Sequence, residues 1–203
     1  MSPRWLHWPA AVPSGPTLII HDAFGGSGTV NGRTPDTVDN GNAWVADNYT
    51  VSSGYAYASA SSGSSYMVID TAASTFDIEA ITQGDDTGGG TDFRHGIYFH
   101  FNSGTGAYAR LILNDDAELV IQENNGSTFV TNTSLDTFSA IANSTDILWE
   151  LSCSSGTVTY DLTVSGSSVT SGSLTPTYAP NFVGFWARYS VAGTHCSDFK
   201  VYA

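Results

Sequence analysis

Apolar and polar residues alternate with a period of two along most of this chain, and that pattern leaves few folds open. "TFDIEAI" sets Phe76, Ile78 and Ala80 against Asp77 and Glu79. "DFRHGIYFHF" puts Phe93, Ile97, Phe99 and Phe101 on one face, and "GAYARLIL" puts Ala109, Leu111 and Leu113 opposite Tyr108 and Arg110. "ILWELSC" sets Ile147, Trp149, Leu151 and Cys153 against Glu150, and "TVTYDLTV" repeats the scheme with Val158, Tyr160, Leu162 and Val164. Successive side chains of a strand point to opposite faces, so such segments are strands with one face on a core. The joints between them carry turn residues: "LNDDAEL", "ENNGST", "CSSGTV" and "VSGSSV" supply the Asn, Asp and Gly that tight hairpins need. Residues 106–133 and 146–174 therefore read as two three-strand meanders. Only "SLDTFSAIAN", with Leu135, Phe138 and Ile141 every third residue, offers a helical turn, against an irregular loop. Many short strands with turns between them specify an all-β sandwich or barrel.

At 203 residues the chain has room for one generous all-β domain, and 41% hydrophobic residues give it a core to bury. Six Lys and Arg stand against 19 Asp and Glu, a formal net charge of −13. Such a surface repels phosphate backbones and anionic lipid, so nucleic acid and membrane insertion are not expected partners. "MSPRWLHWPAAVPSGP" lacks the apolar run of a signal peptide, so synthesis and folding in a cytoplasm are expected. Cys153 and Cys196 then read as buried thiols, with a disulfide as the rival. Residues 1–16 form a Pro- and Trp-rich arm, and residues 17–203 form the strand-rich body.

Near the start lies "DAFGGSGTVNGRTPDTVDNGNAW", too rich in Gly, Asn and Asp to be a strand or a helix. It follows "TLIIHDAF", while the chain ends in "CSDFKVYA"; the two read as side-by-side strands, with the loop crossing to a facing sheet and Trp44 anchoring its return. Asp22, Phe24, Gly32, Arg33, Pro35, Asp36 and Trp44 together resemble the opening of concanavalin A-like, laminin-G-like jelly rolls of tailed-phage virion and bacterial surface proteins. The central strands and the closing "NFVGFWARYSVAGTHCSDFKVYA" are similar to theirs as well. The resemblance covers residues 17–203 and implies a two-sheet antiparallel jelly-roll sandwich with an extended N-terminal arm. It implies a function less sharply, because this fold hosts lectins, glycosidases and structural domains.

Chemistry-bearing residues are sparse. Asp77 and Glu79 share a strand face, the spacing some hydrolases of this fold use for an acid and nucleophile pair. The third acidic residue of those enzymes is missing, since Ile81 and Gln83 follow, so a solvated strand face is the plainer reading and no catalytic residue is expected. His95 and His100 fall on opposite faces, so they do not share a metal, and His95 reads as a core histidine. No cofactor is expected. Calcium is the one ion worth weighing, because Asp85, Asp86 and Asp92 in "QGDDTGGGTD" offer oxygen ligands, against solvated turn carboxylates. For sugars, Arg94, Tyr98 and His100 on one strand and Tyr108 and Arg110 on the next supply aromatic faces and planar donors; ordinary covering of a sheet is the rival reading. Trp5 and Trp8 read as anchors that dock the arm on a neighbouring protein.

The expectation that follows is a non-enzymatic protein of a phage-like virion surface, a decoration, fibre or tail domain. Its arm would attach it to capsid or tail proteins or to further copies of itself. The alternative is a carbohydrate-binding lectin or adhesin domain facing a host surface glycan, with a glycoside hydrolase third.

Overall fold

The structure is a computed structural model that describes residues 15–59, 64–84, 94–114, 118–137, 141–142, 144–154, 156–188 and 194–203. Among the described residues there are seventeen strands and no helix. The chain opens with β1 (Leu18–Asp22), β2 (Ser27–Thr29), β3 (Thr37–Val38), β4 (Val45–Asp47), β5 (Tyr49–Ser52) and β6 (Tyr55–Ala58). Longer strands follow: β7 (Ser64–Asp70), β8 (Phe76–Gln83), β9 (Arg94–Asn102), β10 (Ala107–Leu113), β11 (Glu118–Asn125) and β12 (Phe129–Thr137). The last five are β13 (Asp146–Ser154), β14 (Thr157–Val164), β15 (Ser167–Leu174), β16 (Phe182–Arg188) and β17 (His195–Tyr202).

Two antiparallel sheets result. The first has ten strands in the order β15-β14-β13-β8-β17-β6-β5-β2, with β1 on β17 and β3 on β1; the second has seven, β12-β11-β10-β9-β16-β7-β4. This is the expected jelly-roll sandwich, and each meander lies in one sheet. The alternation explains the layers. Phe76, Ile78, Ala80, Trp149, Leu151 and Leu162 of the first sheet meet Ile97, Phe99, Leu111, Phe185 and Ile69 of the second in one core cluster. Cys153 and Cys196 lie in that cluster as free thiols, and burial pushes both thiols up, away from the reactive thiolate.

The glycine-rich opening segment has a definite job. Strand β1 pairs with the closing strand β17, while β4, just past Trp44, pairs with β7 of the other sheet. The segment therefore carries the chain between sheets, and it is less irregular than its composition suggests, because β2 and β3 lie within it. At its centre is Asp22, with no exposed surface. Its Oδ1 accepts from Phe24 N (2.8 Å) and Arg33 Nη2 (2.9 Å), and its Oδ2 from Arg33 Nε (2.9 Å) and Trp44 Nε1 (2.8 Å). Phe24 is held at φ 52°, where a bulky residue rarely sits, with its ring buried 6.1 Å from that of Trp44.

Three details differ from the sequence reading. The helical turn does not start at Leu135, since β12 runs to Thr137, which pairs with Glu118; residues 138–140 lie outside the described residues. Phe101 leaves the core face. Tyr98 opposes Arg110 and His100 opposes Ala109, which leaves Phe99 as the extra residue of a β-bulge and reverses the alternation beyond it. The edge strands β12 and β15 are also bulged, at Val130, Leu135 and Val169, which blunts them as pairing templates.

His95 is a core residue at 1% exposure, its ring edge-on to Trp149 and Phe185. Burial lowers it from its ordinary 6.5 to about 3, with His195 nearby adding to the effect. Between those values the unfolded chain binds a proton that the native state refuses, so this contribution is whole above pH 6.5 and is lost as pH falls toward 3. The urea midpoint should drop between pH 7.5 and pH 4.5 by an amount equivalent to roughly 3 kcal/mol. Replacing His95 with Gln should flatten that dependence; an unchanged pH slope in the variant would refute the assignment.

Candidate functional site

The second sheet carries a cluster of its own on the side away from the core. Val68, Tyr98, Phe101, Ile112, Val120 and Trp186 are buried there, with Tyr66, Tyr108 and Phe182 packed against them. Every member comes from β7, β9, β10, β11 or β16 of that one sheet. Two glycines make the room: Gly96 lies opposite Trp186, and Gly184 opposite Tyr98.

Arg110 sits in the middle of these rings, 6% exposed. Its guanidinium carbon is 3.6 Å from the centroid of the Trp186 ring, 4.4 Å from that of Tyr108 and 5.4 Å from that of Tyr98. Arg110 Nη1 donates to Tyr98 Oη at 2.9 Å; Nε and Nη2 donate to Gln122 Oε1 at 3.2 and 2.7 Å; Nη2 also reaches Tyr108 Oη at 3.4 Å. Gln122 Nε2 passes the chain on to Asn132 Oδ1 at 3.0 Å. Burial raises the Tyr98 phenol, so it stays protonated beside the guanidinium. Next to this assembly is a polar depression of 180 Å³ lined by Asn114, Glu118, Gln122, Asn132 and Ser134 over Ile112 and Val120. Aromatic edges beside amides and a carboxylate can take the apolar faces and the hydroxyls of a sugar together.

Of the residues singled out in the sequence, Tyr98, Tyr108 and Arg110 come together here. His100 does not join them, because the bulge sets it opposite Ala109 of the inner cluster. There its ring stacks on Tyr178, with centroids 5.0 Å apart, and Nδ1 donates to Ala179 O at 2.8 Å. Arg94 is in register with Arg188, and its side chain lies outside what is described. Trp5, Trp8, Asp85, Asp86 and Asp92 lie outside the described residues as well. Among the described residues no group of three or more His, Cys, Asp and Glu is placed to hold a metal ion. The sequence reading missed Tyr66, Trp186, Gln122 and Asn132. The alternation in "NFVGFWARY" places Phe182, Gly184 and Trp186 on one face and was the available signal for Trp186.

Asp77 and Glu79 lie on the other side of the molecule, in a groove of 460 Å³ on the first sheet shared with Glu150, Ser152, Thr159, Asp161 and Tyr202. Glu79 opposes Glu150, which opposes Asp161, so three carboxylates stand in a row across the strands. Lys200 Nζ closes the row, 2.7 Å from Glu79 and 2.7 Å from Asp198, which His21 Nε2 meets at 2.8 Å. Burial works against the ammonium of Lys200, but the hydrogen bonds to Asp198 and Glu79 prevail and hold its pKa up.

No family model matches this chain, and no curated protein matches it. Solved structures do. The exoplasmic/lumenal domain of VIP36 in its metal-free form is similar with a TM-score of 0.59 at 11% identity, over 91% of this chain and 90% of that one. The chain has a lectin-like, concanavalin A-like jelly-roll fold. The Ca²⁺/Man₂-bound form of the same VIP36 domain gives 0.59 at 11% identity, covering 87% of this chain and 86% of the other. The legume lectin-like domain from Entamoeba histolytica gives 0.56 at 12%, covering 78% and 89%. At these identities the likeness concerns the fold.

Proposed function

We propose that this lectin-like domain binds carbohydrate without catalysis, through the outer face of its second sheet. The observation that carries the reading is the cluster of rings around Arg110 on the side away from the core, beside a depression lined by amides and a carboxylate. Tyr66, Tyr108 and Phe182 stay partly exposed at the rim of that buried cluster, and aromatic rings beside convergent polar groups mark binding sites. The likeness to VIP36, whose domain is described in Ca²⁺/Man- and Ca²⁺/Man₃GlcNAc-bound forms, supports the same direction. A place on a phage particle draws no support from these likenesses. It rests on the arm, whose Trp5 and Trp8 lie outside the described residues.

The test is a glycan array with the wild type, Tyr108→Ala and Glu150→Gln, run with calcium and with EDTA. Tyr108 is half-buried and lies at the rim, so its truncation should abolish binding while the melting temperature moves by about 2 °C or less. Glu150→Gln on the opposite sheet should bind as the wild type does, and no glycan should release reducing sugar on incubation. Wild-type protein that binds nothing, or binding lost only in Glu150→Gln, would overturn the reading.

A further inference from the structure

Arg110 is a buried cation that no carboxylate among the described residues pairs with. Its four hydrogen bonds all end on the neutral oxygens of Gln122, Tyr98 and Tyr108, and it takes part in no ion pair. A guanidinium has five N–H donors. The fifth, on Nη1, has no acceptor among the described residues. Buried charges are normally paired, and the three rings stabilise the cation without neutralising it.

The outer face of this sheet holds carboxylates too, since Asp47 is in register with Tyr66, Asp70 with Phe182, and Glu118 lines the depression, yet none of them is paired with Arg110.

The depression beside Arg110 is itself polarised. Gln122 and Asn132, which relay the Arg110 contacts, stand at one end. Glu118, whose Oε2 accepts from Asn114 Nδ2 at 2.7 Å, stands at the other. Four residues of strand separate Glu118 from Gln122, about 13 Å. A sugar hydroxyl suits the Glu118 end, and a negative group suits the Gln122 end, behind whose amide the Arg110 guanidinium lies.

We propose that this face selects saccharides that carry a carboxylate, with Arg110 reading the charge; the proposal rests on the glycan-binding reading above. The experiment compares wild-type binding to oligogalacturonate and to its methyl ester by titration calorimetry, at 20 mM and 500 mM salt, beside an array of neutral and acidic glycans. The acid form should bind at least tenfold tighter than the ester at low salt, and the ratio should shrink at high salt. Arg110→Met, which keeps an apolar stem against Trp186, should bring acid and ester to equal affinity. If that variant does not fold, the acid-to-ester ratio and its salt dependence on the wild type decide alone. Equal or weaker binding of the acid, or an array response confined to neutral glycans, would overturn the carboxylate proposal and leave carbohydrate binding standing. No response to any glycan would remove both.

Discussion

Asp22→Ala should lose about 3–5 kcal/mol of folding stability, and the melting temperature should fall by roughly 6–20 °C for a domain of this size. The carboxylate has no exposed surface, and all four of its hydrogen bonds go to groups that no other described partner could serve equally: the Arg33 guanidinium twice, the Trp44 indole and the Phe24 amide. Removing it leaves Arg33 with only the more exposed Asp36 carboxylate at 3.6 Å and strands two buried N–H donors, which costs far more than a surface ion pair is worth. It also frees Phe24 from the left-handed backbone that the Asp22 acceptor stabilises. Asp22→Asn keeps the shape but adds donors where only acceptors fit, so it should fall between wild type and Ala. Thermal and urea denaturation check both, and a loss below about 1 kcal/mol in Asp22→Ala would show that the node is not what fixes the crossing between sheets.

Gly184→Ala should be nearly as damaging, for the opposite reason. A Cβ built at Gly184 would lie 1.9 Å from the carbonyl oxygen of Met67 and 2.8 Å from the Cα of Val68. Those are backbone atoms of β7, the paired neighbour of β16, so relief requires the strands to separate. Overpacking of this kind costs about 3 kcal/mol, at the upper end of its usual range. Because Gly184 opposes Tyr98, the disturbance should also loosen the ring cluster around Arg110. Tryptophan fluorescence during denaturation would report both, and a variant with wild-type stability would show that β7 and β16 yield more easily than their spacing implies. Tyr98→Ala belongs with these substitutions and not with harmless surface changes, since Tyr98 is 3% exposed and holds Arg110 Nη1.

What could be read from the sequence was what depends on near neighbours. The alternation of Ile147, Trp149, Leu151 and Cys153 requires only that one face of a strand be buried, and all four are buried. The Asp22, Arg33 and Trp44 positions were legible as marks of the fold, but their convergence on one carboxylate joins residues up to 22 apart through a folded loop. The outer cluster was half legible. Tyr98, Tyr108 and Arg110 sit on neighbouring strands of one hairpin, whereas Trp186 and Tyr66 arrive from strands distant in the chain. The bulge at Phe99 was hidden, because it exists only in the register of β9 against β10, and it moved Phe101 and His100 to faces that simple counting does not give. Leu135 misled because it is the extra residue of a bulge in β12, which hides the strand period there.

The pairing of β1 with β17 has a consequence for how such a domain is presented. Thr17 N donates to Ala203 O at 2.8 Å, and Ala203 N returns a bond to Thr17 O at 2.9 Å. The two ends of the sandwich thus meet at a single point, on the sheet that carries the acidic row. A body held at that point would be gripped on one sheet, with the outer face of the other, where Tyr108 is partly exposed, turned away from the support. Copies mounted side by side on a scaffold would each offer the same face outward, so weak single contacts could add up across the array.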